Sequence, residues 1–121
     1  MDDNVEKPDE TNVQDESNRL YDRYVCSGQV SVPKMTQQQG DLVDLSLYGC
    51  RVRFPEVVIF SGDADYDVHL TPPADVFSTT ISIIGRPVWS TYEKDATIIG
   101  FTLLSSSNTG LLLRWVELLE G

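Results

Sequence analysis

Two groups of residues in this 121-residue chain have types and spacings suited to chemistry. The first is Arg19 and Arg23, four apart in "NRLYDRY", with no acid placed to pair with both, although Asp22 can pair with one. The second is Asp44, Ser46 and Gly49 in "DLVDLSLYGC", interleaved with the apolar Leu42, Val43, Leu45 and Leu47. A buried strand disfavours an acid, which loses its hydration, and a glycine, which has no side chain to pack. Each group alone has an ordinary explanation: surface arginines face water, and Asp, Ser and Gly are turn residues that bond their own backbone. The two groups together carry more weight. The 20 residues between Arg23 and Asp44 have the length of one long strand plus a turn, which returns the second group beside the first. The chemistry on offer is recognition rather than bond making, because no nucleophile, base or orienting partner stands at a spacing recognisable for catalysis.

Other candidate sites are weaker. "GDADYDV" sets Asp63, Asp65 and Asp67 at alternate positions, but a calcium loop needs glycine at its sixth position and glutamate at its twelfth, where this chain has Val68 and Ala74. His69 is the chain's one histidine and has no His or Cys at a ligand spacing, so neither a metal site nor a cofactor is expected. Cys26 and Cys50 fall in strand-like segments and read as small buried hydrophobes rather than a disulfide.

The net charge of -10 is unevenly spread. Residues 1–17 hold Asp2, Asp3, Glu6, Asp9, Glu10, Asp15 and Glu16 against Lys7, a net -6 that leaves -4 for the rest. With few large apolar residues, residues 1–17 are expected to be a disordered acidic tail, and residues 18–121 a folded domain. Nine Lys and Arg are too few for a broad nucleic-acid-binding face. No apolar run approaches the roughly 20 residues of a membrane helix, and the N-terminus is acidic where a secretion signal would be basic and then apolar. A cytoplasmic protein without membrane insertion is the expectation.

The elements that must position the two groups are nearly all strands. Residues 22–32 are rich in β-formers and predict the first strand; "DLVDLSLYGCRVRF" predicts two more, bent at Tyr48-Gly49. A further strand is expected near Tyr66 to Leu70, ended by Pro72-Pro73. "STTISIIGRPVWSTY" and "ATIIGFTLL" predict two long strands joined by the charged turn "EKD", with Pro87 marking a bulge or an edge. The period then changes: Leu111, Trp115, Leu118 and Leu119 recur at helical spacing, with Ser107 or Asn108 as N-cap and Gly121 beyond the end. The fold class is all-β with one C-terminal helix, which suits a small barrel covered on one side by the helix.

At this point the chain resembles a known family. Arg-x-x-x-Arg, followed after a strand and a turn by Asp/Asn-x-Ser-x-x-Gly, is similar to the signature of the PilZ domain, and it stands here intact as "RLYDR" and "DLSLYG". "IIGRPVW", "IIGFTLL" and the closing "LLRWVELL" resemble later parts of the same family, so the likeness spans about residues 18 to 120. One departure is Asn18, where many relatives carry a further arginine. The resemblance implies a six-stranded antiparallel β-barrel with a C-terminal helix, and a bacterial receptor that binds cyclic diguanylate (cyclic di-GMP) and acts on a downstream effector protein. It implies Arg19 and Arg23 as a clamp, since the guanidinium fork fits both phosphates and the O6 and N7 acceptors of guanine. It further implies Asp44 as acceptor of guanine N–H donors, Ser46 as a phosphate or base contact, and Gly49 as a point of close backbone approach. Arg53 is a candidate further contact, and Trp89 a stacking face worth about 1–3 kcal/mol per base, with core packing as its competing reading. The alternative is a PilZ-like interaction domain that works without nucleotide in pilus assembly or scaffolding; such members typically lack the arginines. A barrel for single-stranded nucleic acid is disfavoured by the charge.

Overall fold

The computed structural model describes residues 23–104 and 108–121. The expected acidic tail, Arg19 and the alternative cap Ser107 lie outside the described residues. Among the described residues, strand-forming residues give seven strands: β1 (Tyr24–Val25), β2 (Gln29–Ser31), β3 (Gly40–Leu45), β4 (Gly49–Phe54), β5 (Tyr66–Thr71), β6 (Ile81–Glu93) and β7 (Ala96–Leu104). Among the described residues one helix, α1 (Thr109–Glu120), follows. β4 shows the principle: Cys50, Val52 and Phe54 are buried, and Arg51 and Arg53 point the other way.

The strands pair in the order β1-β3-β2-β5-β6-β7-β4, and β4 pairs back onto β3. Every pairing is antiparallel. β1 and β2 both lie along β3, so they act as one interrupted strand and the ring is a closed six-stranded barrel. The sequence predicts a continuous strand over 22–32; the structure breaks it at residues 26–28. Gly28 keeps the edge attached by accepting a hydrogen bond from the Leu42 amide at 2.9 Å. Closure of the barrel satisfies strand edges that would otherwise pair with other chains.

β6 and β7 form the longest hairpin. Its tight turn holds Lys94 in the left-handed region at φ 43°, as right-twisted two-residue hairpin turns require. Pro87 lacks an N–H donor, and the register shifts between Pro87 and Trp89 as the sequence leads one to expect. Val88 and Trp89 are consequently both exposed.

The barrel interior is filled by Val30, Val52, Phe54, Leu70, Ile81 and Ile99, among others, and α1 closes it with Leu112, Trp115 and Val116. This corrects the predicted helix stripe. Leu111 and Leu118 are 36% and 56% exposed, and the inward face is Leu112, Trp115, Val116 and the half-buried Leu119. The run Leu111-Leu112-Leu113 gives no phase of its own, so the packing of Trp115, 1% exposed, sets the rotation. Asn108 is the N-cap residue, but its Oδ1 accepts from the Ser82 amide at 2.8 Å and so ties the helix start to β6. Gly121, at φ 92°, ends the helix and donates to the Leu118 carbonyl. Cys26 and Cys50 are both free thiols. Among the described residues no helix is long and apolar enough to cross a membrane.

Candidate functional site

The turn between β3 and β4 is built by Ser46. Its amide donates to the Gly49 carbonyl at 2.8 Å, and its hydroxyl donates to the same oxygen at 3.3 Å. The hydroxyl also accepts from the Tyr48 amide at 3.2 Å and the Gly49 amide at 3.1 Å. One donor and two acceptor positions are all a hydroxyl has, so Ser46, 4% exposed, is fully engaged within the turn. Gly49 is required for a different reason. A Cβ there would lie 2.9 Å from the Phe101 carbonyl oxygen, so only glycine lets β4 start this close to β7. The Tyr48 carbonyl accepts from the Leu103 amide at 2.9 Å and clips the turn to the same strand.

A four-residue turn at 46–49 determines which residues face each other above it. Leu45 pairs with Cys50 and Asp44 with Arg51; across the sheet, Arg51 pairs with Gly100 and Gly100 with Trp89. Asp44, Arg51, Gly100 and Trp89 therefore form one lateral row. The Arg51 Nε donates to Asp44 Oδ2 at 2.5 Å, and its Nη2 contacts the same oxygen. The Asp44 side chain is 2% exposed against 38% for Arg51. Asp44 Oδ1 is buried and has no hydrogen-bond partner among the described residues. Gly100 has no side chain because the indole of Trp89 occupies that space: a Cβ would lie 2.4 Å from Trp89 Nε1.

This row and the turn border a cavity of about 210 Å³, lined by Arg23, Ser46, Gly49, Arg51, Trp89 and Thr102 among others. Tyr48 belongs to its wall and also to that of an apolar groove of about 190 Å³ against α1, with Leu47, Leu103 and Leu112. Of the residues singled out in the sequence, the cavity brings together Arg23, Ser46, Gly49 and Trp89. Trp89 is 39% exposed and is not core. Asp44 is not in the lining; it lies behind Arg51, where the row pairing buries it. Arg53 is also outside the cavity, on the same face of β4 but one row along, opposite Asp41 and Ile98 and 3.7 Å from Glu93. Arg51 is the residue that sequence reasoning missed. Its signal was available: closing the hairpin through a turn at Ser46–Gly49 places Arg51, not Arg53, opposite Asp44.

The field of this corner reaches the thiols. Cys26 is pushed up to about 11, first by burial and then by the negative Asp44. Cys50 is pushed up by full burial, by Asp44 and by Cys26, and is drawn partly back by Arg23. These thiols stay protonated and do not act as nucleophiles at neutral pH. Elsewhere, Asp65 is held below its ordinary value by a hydrogen bond from Arg86, whose Nε lies 2.7 Å from Asp65 Oδ1. His69 Nδ1 is 2.8 Å from the Ser82 hydroxyl.

The family model for the PilZ domain matches residues 17–118, which covers the barrel, the row and most of α1. The chain belongs to the PilZ family. No curated protein matches it. PilZ is a binding and adaptor domain rather than a catalytic family, in keeping with a site made of arginines, an indole and a tightly bonded turn. In this PilZ domain the Asp-x-Ser-x-x-Gly half of the signature has an evident structural role, since Ser46 and Gly49 build the turn and Asp44 anchors Arg51 in the row beside it.

Proposed function

We propose that this PilZ domain is a cytoplasmic receptor for cyclic diguanylate that passes the binding event to a protein partner. The observation that carries the reading is the intact Arg-x-x-x-Arg and Asp-x-Ser-x-x-Gly pair in a PilZ domain whose cavity is lined by Arg23, Arg51 and Trp89. Guanidinium groups suit both phosphates and guanine acceptors, and an exposed indole at the rim supplies a stacking face for a purine. Arg23 is exposed and directly precedes β1, so it can close over a ligand without disturbing the barrel. On this reading Arg19 and Arg23 are drawn together onto the nucleotide, and the new arrangement of that segment is what the partner recognises. The driving force is charged hydrogen bonds made only in the complex, at about 1.5–3 kcal/mol each.

Isothermal titration of the full chain with cyclic di-GMP tests the proposal. Arg23→Ala, and likewise Arg19→Ala, is expected to weaken binding by about tenfold or more, the equivalent of one such bond. Absence of binding by the folded wild-type chain would end the receptor reading in favour of a nucleotide-independent interaction domain.

A further inference from the structure

We infer that residues 56–60 form an open β-edge at the end of the barrel away from the cavity, and that this edge takes an extended, basic segment of a partner protein as an added strand. The inference goes beyond nucleotide binding and does not depend on it: the edge follows β4, whose other end carries the cavity turn, and shares no lining residue with the cavity. Closure of the ring removes the edges of its own strands, but residues 56–60 lie outside the ring. The Thr97 hydroxyl on β7 stands in for a neighbouring strand. It donates to the Glu56 carbonyl at 2.8 Å and accepts from the Val58 amide at 3.0 Å. Tyr92, the cross-strand partner of Thr97, donates its hydroxyl to the Val58 carbonyl at 3.2 Å. In extended backbone the N–H and C=O of one residue point to one side and those of the next residue to the other. With Glu56 and Val58 turned to the hairpin, the N–H and C=O groups of Val57 and Ile59 point outwards, where among the described residues they have no hydrogen-bonding partner. Burial follows the same alternation: Val58 is 2% exposed, Val57 59% and Ile59 85%.

Val57-Val58-Ile59-Phe60 is a run of strong β-formers that belongs to none of the seven strands. Exposed edges are ordinarily blunted by lysine, proline or an inward charge, and within this run there is none. Two outward donors and two outward acceptors on alternate residues fit one added strand, and the exposed, β-branched Val57 and Ile59 call for apolar partners directly opposite. Charge selects the occupant. Glu56 opens the edge, Asp63 follows its end, and Glu93 and Asp95 stand at the hairpin tip, against Arg53 and Lys94: four acids to two cations. A second copy of the chain would bring the same excess to the same place, with a net charge of -10 behind it. A strand with basic residues between its apolar ones meets both the apolar face and the acidic surroundings.

The probe is a short peptide of alternating lysine and valine, blocked at both ends, titrated into the full chain. Its controls are the same peptide N-methylated at the valines, which removes the donors that would face the edge, and a glutamate-valine peptide. The lysine-valine peptide is expected to bind saturably and to slow hydrogen exchange of the Val57 and Ile59 amides, and each control to bind about tenfold or more weaker, the equivalent of one lost hydrogen bond. Ile59→Pro removes one outward donor while Val58, already extended, suits a following proline, so it is expected to fold and to weaken the peptide by about tenfold or more. Ile59→Ala keeps the donor and is expected to lose less. Near-ultraviolet circular dichroism of the buried Trp115 reports folding, and the N-methylated peptide gives the same answer without any variant. Absence of peptide binding overturns the inference, and so does equal binding by the N-methylated or the glutamate-valine peptide. Self-association of the wild-type chain in sedimentation that Ile59→Pro abolishes would give the edge to a second copy and overturn the basic partner. Cyclic di-GMP titration is expected to be the same in Ile59→Pro as in the wild type, so failure of the receptor reading and failure of this inference are read separately.

Discussion

Arg51 and Arg53 project from the same face of β4, two residues apart, and each stands near an acid. Arg51 meets a carboxylate that is 2% exposed, whereas Arg53 lies 3.7 Å from Glu93, which is 52% exposed. The rows they belong to differ in relief as well. In the first, Gly100 admits the Trp89 indole; in the second, Ile98 and Thr91 occupy the equivalent places. The contrast teaches that a charged side chain acquires a defined direction from the burial of its partner, not from the partner's presence. An exposed pair is free to exchange for water and is worth little, whereas a buried carboxylate holds its one cation against a full desolvation penalty.

The largest effect that would break this comparison is on stability. Arg51→Ala leaves a buried carboxylate without its cation and is expected to cost about 2–3 kcal/mol, discounted from a fully buried pair because Arg51 is partly exposed. Arg53→Ala is expected to cost less than about 0.5 kcal/mol. Urea denaturation at neutral pH reads both. Equal midpoints would mean that Asp44 is better solvated than its exposure suggests, and the distinction between the rows would disappear.

A smaller effect sharpens the comparison at its glycines. Gly49→Ala drives a methyl against the Phe101 carbonyl oxygen, and backbone does not yield cheaply, so a loss of about 1–3 kcal/mol is expected. The nearest atoms that Gly100→Ala meets belong to the Trp89 indole, which is 39% exposed and has somewhere to go. Its expected cost is under about 1 kcal/mol, accompanied by a red shift of tryptophan emission as the indole enters water. That variant makes the Arg51 row resemble its neighbour while keeping the Asp44 contact. Emission unchanged in Gly100→Ala would show that Trp89 does not depend on the gap above Gly100.

Much of this arrangement is legible in the sequence. Period-two burial and turn residues announce the strands, and Pro87 announces the bulge that turns Trp89 outward. Arg23 of the first half-motif and Ser46 and Gly49 of the second border the cavity. What they do not disclose is division of labour. Asp44, Ser46 and Gly49 stand out because they pack poorly in a strand, and the structure gives each a local role as well: Ser46 and Gly49 build the turn, and Asp44 holds Arg51 through one oxygen. Only the pairing register separates Arg51 from Arg53, and a shift between Leu42 and Asp44 moves Arg53 opposite Asp41. The helix phase was ambiguous for a related reason: a run of three leucines is compatible with several rotations, and the choice is made by what Trp115 fills.

The smallest expected effect tests how far Asp44 reaches compared with Glu93, the acid near Arg53. The Cys26 thiol, ordinarily near 9, is pushed up to about 11 by burial and by Asp44, and Cys50 is raised by the same causes, whereas Glu93 contributes to neither. A thiol raised in the folded state keeps its proton longer there than in the unfolded chain. The folded state therefore binds more protons once pH exceeds 9, and stability falls as pH rises from 9 towards 11, with the whole contribution present below that window. Asp44→Asn removes a like charge from beside both thiols, so the decline should be shallower in that variant, and alkylation of Cys26 at pH 9 should be faster than in the wild type. Glu93→Gln should change neither, because a half-exposed carboxylate beside Arg53 is screened by water. Alkylation that responds equally to Asp44→Asn and Glu93→Gln would show that the field at this corner is general to the acidic surface; a response to Asp44→Asn alone would show that it comes from the one carboxylate that the Arg51 row keeps out of water.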